Sequence, residues 1–322
     1  MIQDAVQQAS PWVEPLRCAM RRVVVGQDRT VERLIVAFLA NGHVLLEGAP
    51  GLAKTLTMKT LATATQSSFK RIQITSDTLP ADLLGTETFD PSALKPDVRK
   101  GPIFSNLVLA EGINRAPRRV QGALLEAMQE RHVAIGQAVF PLPDPFFVLA
   151  TEDPTEDETR PLPPSQVDRF LLKAVATFPS LREERMILDL AELGDEAPRG
   201  GPVIGAKEIR EARMVAQAIF VDDRVKDYIV SLVYATREPM GFGLDLDHHI
   251  RHGASPRATL GLLAAARAYA FLAGRGYVML EDVKAMAMDV LRHRVAVTYE
   301  AEAEGLGSED IVRRVIEAVA LP

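Results

Sequence analysis

A lysine and a threonine side by side, Lys54 and Thr55, close the stretch HVLLEGAPGLAKT from His43 to Thr55. The spacing G-x-x-G-x-x-K-T is that of a phosphate-binding loop. Backbone N–H groups in a glycine-containing turn wrap a phosphate, and the start of a helix adds partial positive charge. In that arrangement Gly48, Ala49, Pro50, Gly51, Leu52, Ala53, Lys54, Thr55 and Leu56 surround the phosphates. Lys54 reaches the β- and γ-phosphates, and the Thr55 hydroxyl binds Mg²⁺. The general pattern has glycine where Ala53 stands, and alanine is tolerable there if the backbone keeps a negative φ.

A loop of this kind needs a buried strand before it and a helix after it. Val44, Leu45 and Leu46 supply the strand, and a helix is expected from Lys54 to about Thr65. Ahead of them, helices are expected from Trp12 to Met20 and from Asp28, as N-cap, to Leu39, joined by the apolar turn Val23 to Gln27. That turn suits an adenine pocket with apolar walls and a backbone edge. Further strands are expected at Arg71–Ile74, Leu107–Ala110, Phe146–Ala150 and Leu171–Val175, with a helix from Arg118 to Gln129 and a hairpin over His132–Leu142 turning at Gly136-Gln137. Strands alternating with helices predict a parallel α/β sheet, whose ligands sit at the carboxyl ends of the strands. The phosphate loop, Glu111 and Thr151 to Asp153 all follow strands and can share one site. Arg169 precedes its strand and need not join that site within one subunit.

From about Leu181 the strand signal stops, and helices are expected at 181–193, 207–220, 222–237, 256–273, 279–292 and 308–319. The organisation read from this is an α/β nucleotide-binding core over 1–179 and a smaller all-α lid over 180–322. Ser255-Pro256-Arg257 opens one lid helix, with Ser255 as N-cap and Pro256 at the first position. Arg257 then sits in the first turn, where a nearby anion offsets the macrodipole.

The chain has 322 residues and a formal net charge of −6, which argues against a nucleic-acid backbone as its primary partner. Cys18 is the only cysteine, so no intramolecular disulfide can form. No apolar run has spanning length and no leader pattern opens the chain, so the expected compartment is the cytoplasm. Asp245, His248 and His252 lack the further ligands that a metal site needs and are read as a polar segment before the Ser255 helix. The acidic run Glu152 to Glu158 is read as a solvated loop.

Together, the segments GAPGLAKT, RIQITSDTLPADLLGTE, GPIF, INRAP, QGALLEAMQER, the LPxxQxDRF stretch from Leu162 to Phe170, GASPRA and DVLRHR resemble the MoxR family of AAA+ ATPases over nearly the whole length. Ala53 before the lysine is usual there. The resemblance implies ATP and Mg²⁺ as ligands and an AAA+ P-loop sheet core with a helical lid. It also implies a hairpin inserted over about 80–104 and another over about 131–142. It further implies a ring, usually a hexamer, with nucleotide between subunits. Arg169 matches the arginine finger, Arg257 matches sensor 2, and Val25, Gly26 and Gln27 fall in the adenine-side motif. Relatives of this kind act as chaperone-like remodellers of client proteins, often with von Willebrand factor A-type adaptors.

Two segments depart from the family pattern. INRAP fixes the register, so Glu111 stands at the metal-orienting aspartate and Gly112 at the catalytic glutamate. Asp153 stands at the sensor 1 asparagine. Glycine cannot polarise a water, and loss of a positioned base costs roughly 10²–10⁴ in rate. The expected function is a slow ATPase in which Glu111 or Asp153 approximates the base through water, with a nucleotide-binding switch or scaffold as the alternative. A small-molecule P-loop kinase is a more distant rival.

Overall fold

A computed structural model of the chain describes residues 1–90, 95–155, 159–196, 198 and 200–320. Three helices come first: α1 (Ile2–Ala9), α2 (Val13–Val23) and α3 (Asp28–Leu39). The helix expected from Trp12 to Met20 is α2, and α1 before it, ended at Ser10-Pro11 where proline removes a backbone donor, is additional. The N-cap of α3 is Gln27 rather than Asp28, which takes the first helical position.

The core sheet contains β1 (Val44–Glu47), β2 (Phe69–Gln73), β5 (Leu107–Glu111), β8 (Phe147–Glu152) and β9 (Leu172–Val175). All neighbours are parallel, in the order β2-β5-β8-β1-β9. Helices α4 (Lys54–Ala64), α5 (Pro80–Leu84), α6 (Arg118–Glu130) and α7 (Pro164–Val167) connect them. Strands buried on both faces read as apolar runs, and side chains alternate between two cores. Val44 and Leu46 face one with Leu107, Leu109, Phe147 and Leu149, while Leu45 faces the other with Val108, Ala110, Val148 and Ala150. Each buried Val, Leu or Phe side chain among them contributes about 1.5–3 kcal/mol. The first core runs on through α1–α4 into the lid helices, so the N-terminal helices are packed against the lid as well as the sheet.

Two hairpins project from this frame. One pairs β3 (Gly85–Asp90) with β4 (Lys95–Lys100), and the other pairs β6 (His132–Ile135) with β7 (Ala138–Pro141). Both fall where the resemblance put insertions, although residues 91–94 of the first lie outside those described. The acidic loop is described only in part, since Glu156, Asp157 and Glu158 also lie outside.

After β9 the chain carries α8 (Leu181–Glu192), α9 (Ala206–Gln217), α10 (Asp223–Ala235), α11 (Pro256–Leu272), α12 (Leu280–Leu291), α13 (Tyr299–Ala303) and α14 (Ser308–Ala318). This part is not all-α, because β10 (Ile250–His252) pairs antiparallel with β11 (Ala296–Val297). Two and three residues carry too little alternation to stand out from loop in the sequence. The His248–His252 segment leads into this ribbon, and His249 meets Glu304 at 3.0 Å. Among the described residues no group of three or more His, Cys, Asp or Glu is placed to hold a metal.

Candidate nucleotide site

A cavity of about 450 Å³ opens at the carboxyl ends of β1, β5 and β8 and is lined by the loop from Pro50 to Leu56. Gly51 turns at φ 86°, and Ala53 follows at φ 52°. The condition of a negative φ at Ala53 is therefore not met. The turn into α4 is left-handed at that residue, at a cost of roughly 1–2 kcal/mol for a residue with a Cβ. In exchange α4 starts abruptly, and no side chain caps its first N–H groups. Those donors and the helix dipole face the space a phosphate would fill.

Lys54 folds back and donates from Nζ to the Gly48 carbonyl. Desolvation lowers its pKa, opposed by Asp153 and Glu111. The Thr55 hydroxyl donates to Glu111 Oε1 at 2.8 Å, joining the start of α4 to the end of β5. Magnesium is usually bound by one or two protein oxygens together with phosphates and water. An adjacent hydroxyl and carboxylate beside a phosphate loop fit that ion, with Thr55 and Glu111 as the groups that would hold it.

Gly112 ends β5 in a left-handed conformation, φ 76° and ψ 44°. Its N–H donates to Thr151 Oγ1 at 3.2 Å. Asp153 lies against the same cavity. Burial would raise its pKa, but the Thr155 hydroxyl at 2.6 Å and amide at 2.9 Å, with Lys54 and Arg115 nearby, hold it below the ordinary value. Asn114 ties this turn to the preceding one by donating to the Asp153 carbonyl at 3.1 Å.

Three lining residues were not singled out from the sequence: Arg71, Gln73 and Arg115. Arg71 donates to Glu111 Oε2 from Nε at 2.7 Å and from Nη2 at 2.5 Å. The signal was the i, i+2 spacing of Arg71 and Gln73, which puts both on one face of β2 beside β5. Arg115 lies three residues past Gly112, where a short 3₁₀ turn brings it back over the cavity.

The other expected residues are elsewhere. Gly26 and Gln27 line a separate cavity of about 300 Å³ with Arg29, Arg33, Asp289 and Arg292, while Val25 lies outside its lining. The apolar walls expected of an adenine pocket are thus largely polar. Arg33 donates to the buried Asp289 at 2.6 Å, and Arg292 does so at 2.9 Å. Gln27 anchors the segment to the core by donating to the Thr177 carbonyl at 2.9 Å.

Arg169 and Arg257 meet in a third cavity, of about 280 Å³, with His43, Met128, Gln129 and Asp168. It lies at the amino ends of β1 and β9, as the hydrogen bond from Leu171 N to His43 O shows. Asp168 assembles it. Its carboxylate accepts from the Ser255 hydroxyl at 2.8 Å and from Arg294 Nε at 2.8 Å, and Ser255 Oγ caps α11 at Arg257 N. His43 stays neutral beneath, since burial and Arg131 push its pKa down to about 3. Val148 N donates to His43 Nδ1 at 3.0 Å, so Nε2 carries the proton and donates to the Met128 carbonyl at 3.2 Å.

Residues 43–172 match the model of the ATPase family associated with various cellular activities (AAA), and residues 245–315 match an AAA lid domain. Chaperone MoxR1 of Mycobacterium tuberculosis is 45% identical over 305 residues, covering 94% of this chain and 80% of the relative. Protein MoxR of Methylorubrum extorquens is 31% identical, over 94% and 92% of the two chains. A crystal structure of a protein from Cytophaga hutchinsonii, proposed to be an ATPase, superposes with a TM-score of 0.93 at 39% identity, covering 99% of this chain and 97% of that one.

Proposed function

The chain belongs to the MoxR family of AAA+ ATPases, and from that premise we propose that it is an ATP- and Mg²⁺-dependent, chaperone-like remodeller of partner proteins that hydrolyses slowly. The observation that carries the reading is the Lys54–Thr55–Glu111 arrangement around an uncapped helix start. Lys54 and the α4 amides hold the phosphates, and Thr55 with Glu111 orients the metal. Among the described lining residues, Asp153 is the carboxylate left to act on a water, because Glu111 has both oxygens engaged. Asp153 commits one oxygen to Thr155, which supports a low rate.

The two arginines serve a neighbouring subunit. Four residues of β1 separate the amino-end cavity from the phosphate loop, about 13 Å of extended chain. One subunit therefore does not bring Arg169 and Arg257 onto its own phosphates, whereas a ring of copies, a hexamer in this proposal, does. A von Willebrand factor A-type adaptor and a client protein complete the assembly. No helix among the described residues is long and apolar enough to cross a membrane.

The second reading, a nucleotide-gated switch with almost no turnover, is favoured by Gly112, where no side chain reaches a water. Steady-state ATP hydrolysis together with nucleotide binding separates the two, with Lys54→Ala as control. Slow turnover that Lys54→Ala abolishes supports the ATPase. Binding without turnover supports the switch. Absence of binding overturns both.

A further inference from the structure

The mechanism so far leaves one charged pair unexplained. Arg71 sits on β2, the edge strand, and is about half exposed, yet it does not extend into solvent. In the strand register Arg71 lies opposite Leu109, and Gln73 lies opposite Glu111. The guanidinium thus reaches two residues along the neighbouring strand to fork onto the carboxylate at the metal position. Held also by Thr55, Glu111 has neither oxygen left without a donor.

Charge in the cavity points the same way. Among the described lining residues Arg71 is a cation held directly on the carboxylate at the metal position, and removing it makes the site one unit less positive. A polyphosphate entering a less positive site depends more on a divalent ion for neutralisation, whereas a fixed guanidinium supplies part of that charge in advance.

Resting on the nucleotide-binding reading above, we propose that Arg71 is a built-in counter-cation. Forked onto Glu111, it lets the cavity take the polyphosphate of a nucleoside di- or triphosphate without a divalent metal. A metal then shares Glu111 with Arg71 rather than finding the carboxylate vacant. Arg71 is a positioning residue in this role, since it acts on the ligand's charge through Glu111 and the cavity potential.

The test is equilibrium binding of N-methylanthraniloyl-ADP to the full chain, in excess Mg²⁺ and in excess EDTA, for the native protein, Arg71→Gln and Arg71→Lys. The native protein should lose less than about tenfold in affinity on moving to EDTA, and Arg71→Gln should lose about tenfold more than that. In Mg²⁺ the two should agree within about threefold, and Arg71→Lys should keep most of the metal-free affinity because it keeps the charge. A merely structural arginine would lower both conditions alike. An equal Mg²⁺-to-EDTA ratio in native protein and Arg71→Gln, or native binding that collapses in EDTA, overturns the role of Arg71 and leaves the nucleotide reading standing. No binding by the native protein in either condition overturns the nucleotide reading itself, and this role with it.

Discussion

The two ends of the sheet carry opposite halves of one chemistry. At the carboxyl ends, Lys54, Thr55 and the start of α4 form the proposed phosphate anchor, beside a turn with glycine where the family pattern has the base. At the amino ends, Arg169 and Arg257 gather around Asp168 and His43 with no phosphate loop near them. In the proposal above, a fold that separates anchor from cations by the length of its strands completes the site only between copies. The altered residues cluster at the anchor end, at Gly112 and Asp153, while the arginine end keeps every residue the family resemblance assigns to it. That contrast is what the proposed slow, ring-forming ATPase rests on: binding groups kept at both ends, and a base missing at one.

The largest effect expected is loss of the arginine end. Arg169→Ala should reduce ATP turnover by about 10³-fold or more while leaving nucleotide affinity within a few-fold. Mixing it with Lys54→Ala sharpens the comparison, because a mixed assembly pairs an intact anchor with an intact arginine. Partial recovery of turnover on mixing, followed by a coupled phosphate-release assay, is the expected result. Unchanged turnover in Arg169→Ala alone would break the division between the two ends.

The anchor was legible from the chain because its chemistry is local: strand, glycine turn, lysine and threonine lie within thirteen residues of one another. The parallel sheet was legible too, since apolar runs bounded by turn residues recur with helices between them. What stayed hidden depends on tertiary contact. Asp168 draws together Ser255 and Arg294, 87 and 126 residues away, and no periodicity announces such a meeting. Arg71 is in the sequence only the start of an expected strand, and it takes the β2–β5 pairing and a long side chain to bring it onto Glu111. Ala53 misled because a left-handed alanine is uncommon outside glycine-rich turns, and the surrounding loop decides it. The short β10–β11 ribbon failed for want of length.

A smaller effect should appear with acid, and it concerns the arginine end. Native His43 stays neutral down to about pH 3, whereas an imidazole in the unfolded chain protonates near its ordinary value of about 6.5. Between those values the unfolded state binds the extra proton, so stability falls as pH falls, by about 1.4 kcal/mol per unit. From pH 6.5 to 5 this amounts to about 2 kcal/mol. His43→Asn keeps an acceptor toward Val148 N but no titration, so it should weaken the protein near pH 8 and flatten its slope between pH 6.5 and 5. Urea unfolding of both proteins across that range measures the difference. Parallel slopes would show that His43 does not make the β1 amino end acid-sensitive.

The smallest expected effect tests whether the anchor end has been rebuilt or merely lost one side chain. If Gly112 were a simple deletion of the catalytic carboxylate, its backbone would suit any residue. Instead it sits at φ 76°, where a Cβ costs about 1 kcal/mol and would lie 3.4 Å from the Arg115 side chain and the Ile74 carbonyl. Gly112→Ala should therefore destabilise by about 1 kcal/mol in thermal or urea unfolding, and Gly112→Glu by a similar amount. Because the strain must be relieved before a new glutamate can point toward the phosphates, Gly112→Glu should gain less turnover than the intact base contributes elsewhere. Its gain should stay well below the roughly 10²–10⁴ expected of a positioned base. A full gain with no loss of stability would mean that the turn relaxes freely and that the two ends of the sheet differ by one side chain alone.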